Sequence, residues 1–201
     1  RDSREVVMKK AILIVTVLFI AVISTACINN FAVQELNNKA KIYLENGDYD
    51  AAINRLQSSI DLDSTIFETH YNLGVAYIKN KQYKKAIEAL SKALELNSDY
   101  ADSYYSLAVA QEAYAQELLD ANSDTPAVAS DDTEVAEDTK ADEDIKKMSP
   151  EQRKLTAAEL YTNAVASYKK YLSKSKDAKD TDDINNQIKS IEEELSKLGN
   201  E

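Results

Sequence analysis

The chain has few of the residues that interrupt helices: of its 201 residues, only three are Gly and two are Pro. Ala, Leu, Lys and Glu are abundant instead, which favours an almost entirely helical protein. The single Cys excludes an internal disulfide, and the single His excludes a metal site built on a pair of His ligands. A formal net charge of -11 argues against nucleic-acid binding, which needs a basic surface.

The segment Phe67–Tyr100 carries two apolar stripes at helical spacing. Their members are Leu73, Gly74 and Tyr77 on a first helix, and Ala86, Leu90 and Ala93 on a second. Small residues stand where the two helices must approach, and large ones fill the space between them. A helix pair of this size cannot bury both stripes alone, so the pattern predicts stacked copies.

A shift of 34 residues superposes this pattern on the preceding segment. The matching residues there are Tyr43, Tyr49, Ala52, Leu56 and Leu62. Both segments resemble the tetratricopeptide repeat, a family of helical binding scaffolds. The resemblance implies an all-α solenoid of about three helix-turn-helix repeats, the first two at 33–66 and 67–100.

A third repeat begins at residue 101, but its second helix is delayed. The first helix runs to 119, and the second returns over 150–176 with Tyr161, Ala164, Tyr168 and Tyr171 in the expected places. Ser149, Pro150 and Gln152 predict a capped start for this second helix. The third repeat is therefore predicted to be split by an insertion.

The insertion, over 120–149, is strongly acidic. Between Asp120 and Asp144 it holds ten Asp or Glu residues, the single Lys140 and no aromatic residue. Such a segment buries too little apolar area to offset its chain entropy, so we predict a disordered loop. It lacks the spacing of an EF-hand loop, and no calcium site is expected.

The N-terminal part has the pattern of an export signal. Lys9 and Lys10 precede 16 apolar or small residues, Ala11–Ala26, and this order predicts a signal peptide over 1–26. Met8 is the expected start, with residues 1–7 upstream of it. The apolar run is shorter than the roughly 20 residues of a spanning helix. A signal anchor that keeps this segment in the membrane is the alternative.

The end of this segment resembles a bacterial lipobox. Val22–Cys27 reads VISTAC, and in such a box the Cys receives a diacylglyceryl group and becomes the new N-terminus. The resemblance implies lipidation at Cys27, a short linker over 27–32, and a lipid anchor to a membrane of the bacterial cell envelope, facing the periplasm or exterior. A plain secretory signal cut after Ala26 is the alternative.

The last segment, 182–199, carries one apolar stripe. Its members are Ile184, Ile188, Ile191, Leu195 and Leu198. This stripe predicts an amphipathic helix that caps the open end of the solenoid. A coiled-coil dimer seam needs three to four heptads and barely two are present, so a monomer is expected.

The sequence contains no catalytic signature that we recognise. It has no Gly-rich phosphate loop, no nucleophile elbow and no clustered metal ligands. His70 stands at a helix-packing position of the repeat. We therefore expect no enzymatic activity, no cofactor and no metal.

By resemblance, the first helix of each repeat lines the concave face of the solenoid. The residues predicted to bind a partner there are Tyr71, Asn72, Val75, Tyr105, Val109, Asn38 and Lys41. Two Tyr–Val pairs give an apolar floor with hydroxyl groups, the kind of surface that supplies binding energy. Asn37 and Ser106 map to the same face. Asp102 and Ser106 stand where carboxylate-binding members of the family have basic residues, so a ligand with apolar and basic residues is favoured.

These features predict a membrane-anchored scaffold that binds another cell-envelope protein or peptide, in the assembly of an envelope complex. The alternative is a small-ligand-binding accessory lipoprotein of a transport system. That alternative predicts a closed apolar pocket rather than an open groove.

Overall fold

The computed structural model describes residues 2–121, 141–175 and 180–199, without the side chains of 2–9, 11, 17–29 and 141–143. Over these residues the chain is helical, with no strand. The helices are α1 (Asp2–Glu45), α2 (Tyr49–Leu62), α3 (Phe67–Lys79), α4 (Tyr83–Leu96), α5 (Ala101–Asp120), α6 (Ala141–Lys147), α7 (Pro150–Lys174) and α8 (Thr181–Leu198). The predicted all-α solenoid is confirmed.

Successive helices pack in pairs to form two layers. α1 pairs with α2, α3 with α4, and α5 with α7, while α3 also contacts α1 and α5. We call the layer formed by α1, α3 and α5 the inner layer, and α2, α4 and α7 form the outer layer. The third pair, α5 with α7, has the insertion between its two helices.

The first turn between paired helices follows directly from its sequence. Gly47 takes a left-handed φ of 77°, a conformation that costs Gly little. Asp48 then caps α2, because its carboxylate accepts a hydrogen bond from the Ala51 amide at 3.1 Å. At the equivalent turn of the next repeat Lys81 takes a φ of 57°, so the chain reverses in the same way without Gly.

Small residues allow close contact within each pair. Ala52, Ala86 and Ala93 are fully buried beside Leu56 and Leu90. This core continues into Leu107 of α5, so the first two repeats and the start of the third bury one contiguous apolar cluster. Apolar burial of this kind is the main source of stability in a helical repeat.

A second core lies where α5, α7 and α8 meet. Tyr114, Tyr161 and Tyr168 are buried there together with Leu118. Three residues of the α8 stripe, Ile184, Ile188 and Ile191, are buried in the same cluster. The last helix therefore covers the end of the third pair.

The predicted capping box at the start of α7 is confirmed. The Ser149 hydroxyl accepts from the Gln152 amide at 3.2 Å, and the Gln152 side chain accepts from the Ser149 amide at 2.8 Å. Pro150 occupies the first helical position, where a missing N–H costs nothing. These local contacts set where the second helix of the split repeat begins.

The insertion is more ordered at its C-terminal end than predicted. Residues 141–147 form α6, and Ile145 is only 3% exposed in the second core. Lys84 of α4 forms an ion pair with Asp144 at 2.6 Å. The prediction of disorder missed this contact because one apolar residue, docked on distant helices, orders the turn around it. Residues 122–140 lie outside the described part of the chain.

The N-terminal helix is continuous. α1 passes without a break through 27–32, the segment predicted as a linker, because neither Gly nor Pro occurs before Gly47. Among the side chains that the structure describes, no helix offers a stretch long and apolar enough to cross a membrane. The Cys27 side chain lies outside the described residues, and the signal peptide and lipid anchor stay predictions.

A carboxylate links the last three long helices. Glu112 of α5 accepts hydrogen bonds from the Tyr168 hydroxyl of α7, at 3.1 Å, and from the Gln187 amide of α8. Burial raises the pKa of Glu112 above its ordinary 4.5, although both hydrogen bonds act in the opposite direction. The capping helix α8 is thus bound by Glu112, whose charged form is poorly solvated.

We expect Gly74→Ala to destabilise the chain. A Cβ at this position would lie 2.8 Å from Leu90 Cδ2, and Leu90 is fully buried and cannot easily move. Overpacking costs about 1–3 kcal/mol, which exceeds the gain of up to about 1 kcal/mol in helix propensity. The measurement is the urea midpoint of unfolding. Gly199→Ala is the control, since its Cβ would meet Leu195 O at an ordinary 3.6 Å. Equal midpoints for the two variants would contradict the packing argument.

We expect Glu112→Gln to change how stability depends on pH. Because the folded-state pKa of Glu112 is raised, its contribution to stability is fully present below the unfolded pKa and is lost as the pH rises through the folded pKa. The wild type should therefore gain stability relative to the Gln variant when the pH falls from about 7.5 to about 5. Denaturant midpoints at both pH values measure this. Exposed Glu159→Gln on α7 is the control, and a midpoint difference that does not change with pH would refute the prediction.

Candidate binding groove

The exposed face of the inner layer is the candidate site, and we call it the groove. α1, α3 and α5 contribute to it residues one helical turn apart, so that side chains at equivalent repeat positions line up across the three helices. Lys41 lies exposed on α1, Val75 is partly buried on α3, and Tyr105 is exposed on α5. The groove therefore has a mixed apolar and polar floor.

Tyr71 is half-buried and packs within its own repeat. Its ring meets that of Tyr100 edge-on, with centroids 5.1 Å apart, and Phe67 packs on the other side of Tyr100 at 5.2 Å. Tyr100 is the N-cap of α5, so the contact with Tyr71 reaches the start of the next inner-layer helix. Burial raises the pKa of Tyr71, so the hydroxyl stays neutral and able to donate. Tyr71 thus links α3 to the start of α5 and leaves part of its ring exposed in the groove.

Tyr105 is the most exposed aromatic residue predicted for the site. Its side chain is 42% exposed, although its ring packs against Tyr168 at 5.9 Å and Tyr171 at 5.4 Å. The two contacts hold the ring in one orientation, so little side-chain entropy remains to be lost on binding. Val109, one turn further along α5, is only partly buried beside the second core.

The groove is acidic near Tyr100. Burial, together with the neighbouring Tyr71, Asp102 and Glu68, raises the pKa of Tyr100 to about 12. Both carboxylates belong to the first turns of inner-layer helices. A cation approaching this part of the groove is favoured, and an anion is opposed.

A pocket of about 290 Å³ lies between α1 and the start of α3. Its lining includes two predicted site residues, Asn38 and Asn72, and also Asn37. Asn37 Nδ2 lies within 3.0 Å of Ser59 Oγ and Thr69 Oγ1, so this side chain joins α1 to α2 and α3. The alternative of a small-ligand carrier calls for a closed apolar pocket, whereas this pocket is lined mainly by carboxamides.

The structure brings some predicted residues together and separates others. Asn38 and Asn72 share the pocket, whereas Tyr71 and Tyr105 each pack on different aromatic rings. Tyr100 was missed by the sequence analysis, although it ends a repeat one residue before α5 begins. Asn30 and Gln34 were also missed; Asn30 precedes the first repeat, and Gln34 aligns with Glu68, which was not among the predicted residues.

His70 is buried, as predicted, with its Nε2 atom 2.9 Å from the Ser64 carbonyl oxygen. It therefore holds the turn before α3 against the helix. Over the described residues, no group of three His, Cys, Asp or Glu side chains lies close enough to hold a metal ion.

Comparison with known proteins matches two family models to the repeats. The model described as tetratricopeptide repeat matches residues 67–100, and one described as TPR repeat matches residues 40–81. A search of curated proteins found no match. The matched segments together include α2, α3 and α4 in full.

Solved structures with the same fold are tetratricopeptide-repeat domains. The first such domain of Spaghetti (RPAP3), bound to the HSP90 peptide SRMEEVD, is 18% identical with a TM-score of 0.55 and covers 82% of this chain and 93% of its own. The Arabidopsis OM64 domain is 12% identical with a TM-score of 0.56, covering 81% and 98%. The TPR2B domain of yeast Sti1, in a complex with pHsp70, is 14% identical with a TM-score of 0.51, covering 82% of this chain and 98% of its own. Residues 40–100 thus match models of the tetratricopeptide repeat, and the chain has the fold of tetratricopeptide-repeat domains.

Proposed function

We propose that this chain is a membrane-anchored scaffold that binds another protein or peptide of the cell envelope through its groove. The observation that carries the proposal is the exposed ring of Tyr105 on the inner-layer helix α5, which packs against Tyr168 and Tyr171 of the outer-layer helix α7. Pre-oriented aromatic rings at the centre of a concave surface are typical binding hot spots. The role is assembly of an envelope complex, without catalysis.

The partner chemistry follows from the groove. Val75 and Val109 favour apolar side chains, and the carboxylates of Glu68 and Asp102 favour basic ones. Two structural relatives have peptides bound, and the SRMEEVD peptide of one of them is acidic. Asp102 would repel such a sequence here. We therefore infer a ligand segment that carries apolar and basic residues.

The anchor is inferred from the sequence alone. The run Ala11–Ala26 followed by Cys27 supports export and lipidation. Attached acyl chains contribute about 0.8 kcal/mol for each buried CH₂, which suffices to hold a protein at a bilayer when several chains are present. The groove would then lie close to the membrane that holds its partner.

We expect Tyr105→Ala to abolish capture of one specific envelope protein. Crosslinking in native membranes, followed by quantitative mass spectrometry, compares the variant with wild type. Loss of a hot-spot aromatic costs about 2 kcal/mol or more, so recovery should fall at least about tenfold. Tyr105 is used rather than the half-buried Tyr71, whose removal would disturb the contact with Tyr100.

The control for this experiment is Leu155→Ala. Leu155 is 74% exposed near the start of α7. Its replacement by Ala therefore removes apolar surface that lies away from the groove. Helical circular dichroism should be the same for both variants. Equal recovery of the same partner by both would place the interaction outside the groove.

We expect the membrane-extracted protein to begin at a lipidated Cys27. Intact-mass measurement in detergent should give the mass of the chain from Cys27 plus its acyl groups, and Cys27→Ala should lose both the acyl mass and the membrane association. A mass that includes Met8–Ala26 would instead show that this segment is kept as a signal anchor. That result would refute the lipidation of Cys27.

A further inference from the structure

The first repeat leaves one side of α1 uncovered, where later repeats are buried. The 34-residue spacing aligns Ile42 of α1 with Ala76 of α3 and Ala110 of α5. Both alanines are fully buried, whereas Ile42 is 56% exposed. Glu35 likewise aligns with Thr69, which is fully buried and hydrogen-bonded to the preceding repeat. α1 therefore presents to solvent the side on which α3 and α5 receive the repeat before them.

The two ends of the solenoid differ in this respect. At the C-terminal end, α8 buries its apolar stripe in the second core and covers the third pair. At the N-terminal end, the described helices with extended contacts to α1 are α2 and α3. Phe31 is 74% exposed and Ile42 is 56% exposed, so neither helix covers this side. The described part of the chain thus supplies a cap for one end and leaves apolar surface at the other.

Four residues on this side of α1 form a row that we call the α1 stripe: Phe31, Glu35, Lys39 and Ile42. Phe31 and Ile42 stand about three helical turns apart, which places them on the same side of the helix. Between them, Glu35 and Lys39 form an ion pair at 3.2 Å, and both side chains are about half exposed. The order along the helix is therefore apolar, acidic, basic and apolar.

This order is complementary to itself when a second copy runs in the opposite direction. Phe31 then meets Ile42 of the second copy, and Glu35 meets Lys39 of the second copy within one residue of the same two-fold centre. A parallel arrangement would instead bring Glu35 onto Glu35 and Lys39 onto Lys39. Charge complementarity therefore selects a second, antiparallel copy of the same helix as the occupant of this side.

We propose that two copies of this chain associate through their α1 stripes in an antiparallel, two-fold symmetric pair. The stripe of α8 takes no part, because it is buried in the second core. Since one helix of each copy contributes, the contact buries less than the roughly 1,200 Å² of a stable interface, and the dimer is weak and reversible. The pair does not use the Tyr105 end of the groove, so this proposal goes beyond the proposed function and does not depend on it.

The first test is sedimentation equilibrium of the full chain in density-matched detergent micelles, over a wide range of protein concentration. We expect a monomer–dimer equilibrium. Ile42→Ala introduces the residue that α3 and α5 have at this position, so the fold is kept. Because each dimer buries Ile42 twice, this variant should raise the dissociation constant at least about tenfold. Leu155→Ala, which removes an equally exposed apolar side chain from α7, and Tyr105→Ala should leave the constant unchanged.

Charge variants test the antiparallel direction. Glu35→Lys and Lys39→Glu should each raise the dissociation constant about fivefold, because each places like charges opposite one another twice in the dimer. An equal mixture of these two variants should associate as well as wild type. The double variant Glu35→Lys/Lys39→Glu should associate with itself, and a tagged wild-type copy should not co-purify it.

Three results would overturn the proposal. They are a monomeric mass at every concentration, a dimer that is insensitive to Ile42→Ala, and a double variant that prefers wild type to itself, which would indicate a parallel pair. A monomer whose capture of an envelope protein is lost in Ile42→Ala would assign this side to another protein instead. Each of these results leaves the proposed function intact as long as partner capture still depends on Tyr105.

Discussion

Close approach of paired helices is the constraint on which the rest of this structure depends. Gly74 lets Leu90 fill the space between α3 and α4, and fully buried Ala86 and Ala93 allow the same closeness along α4. Interiors packed at this density admit few alternative arrangements, so each helix is held in one register. The exposed faces of α1, α3 and α5, which point away from these contacts, are thereby held in line. Packing between the two layers therefore positions the groove on the other side of the inner layer.

The two ends of the solenoid are positioned by polar contacts as well. End repeats lack a neighbour on one side, and apolar packing alone constrains them less. At the N-terminal end Asn37 joins α1 to α2 and α3, and at the other end Glu112 joins α5 to α7 and α8. Hydrogen bonds are directional, so a buried polar group satisfied from two helices sets their orientation as well as their distance.

Features that depend on local sequence could be predicted. The 34-residue spacing located both regular repeats, since Tyr77, Ala86 and Leu90 have counterparts 34 residues earlier. The capping box needs only Ser149 and Gln152. Contacts between distant segments could not be predicted. Ile145 is one apolar residue in an acidic segment, and its burial in the second core depends on residues far away in the sequence.

Part of the candidate site follows from the repeat pattern. Asn38 and Asn72 stand at equivalent repeat positions, and both line the pocket between α1 and α3. The position of Tyr100 between Phe67 and Tyr71 was not foreseen, since that contact joins the beginning of one repeat to its last residue. The inward-facing role of Asn37 was also missed, because it depends on Ser59 and Thr69 in two other segments.

The fold does not by itself determine the chemistry of the groove, because exposed groove residues contribute little to the core. Asp102 is exposed, so its substitution leaves the helix pairing largely unaffected, whereas Tyr105 also contacts Tyr168 and Tyr171 of the paired helix α7. The charge of exposed groove residues can therefore change without loss of the fold, whereas a change at Gly74 or Leu90 would disturb the packing of α3 on α4. An acidic groove selects against acidic peptides by repulsion, and aromatic rings fixed by neighbours supply affinity with little loss of entropy. The ligand class of such a repeat must accordingly be inferred from the exposed residues of α1, α3 and α5, and not from the fold that holds them.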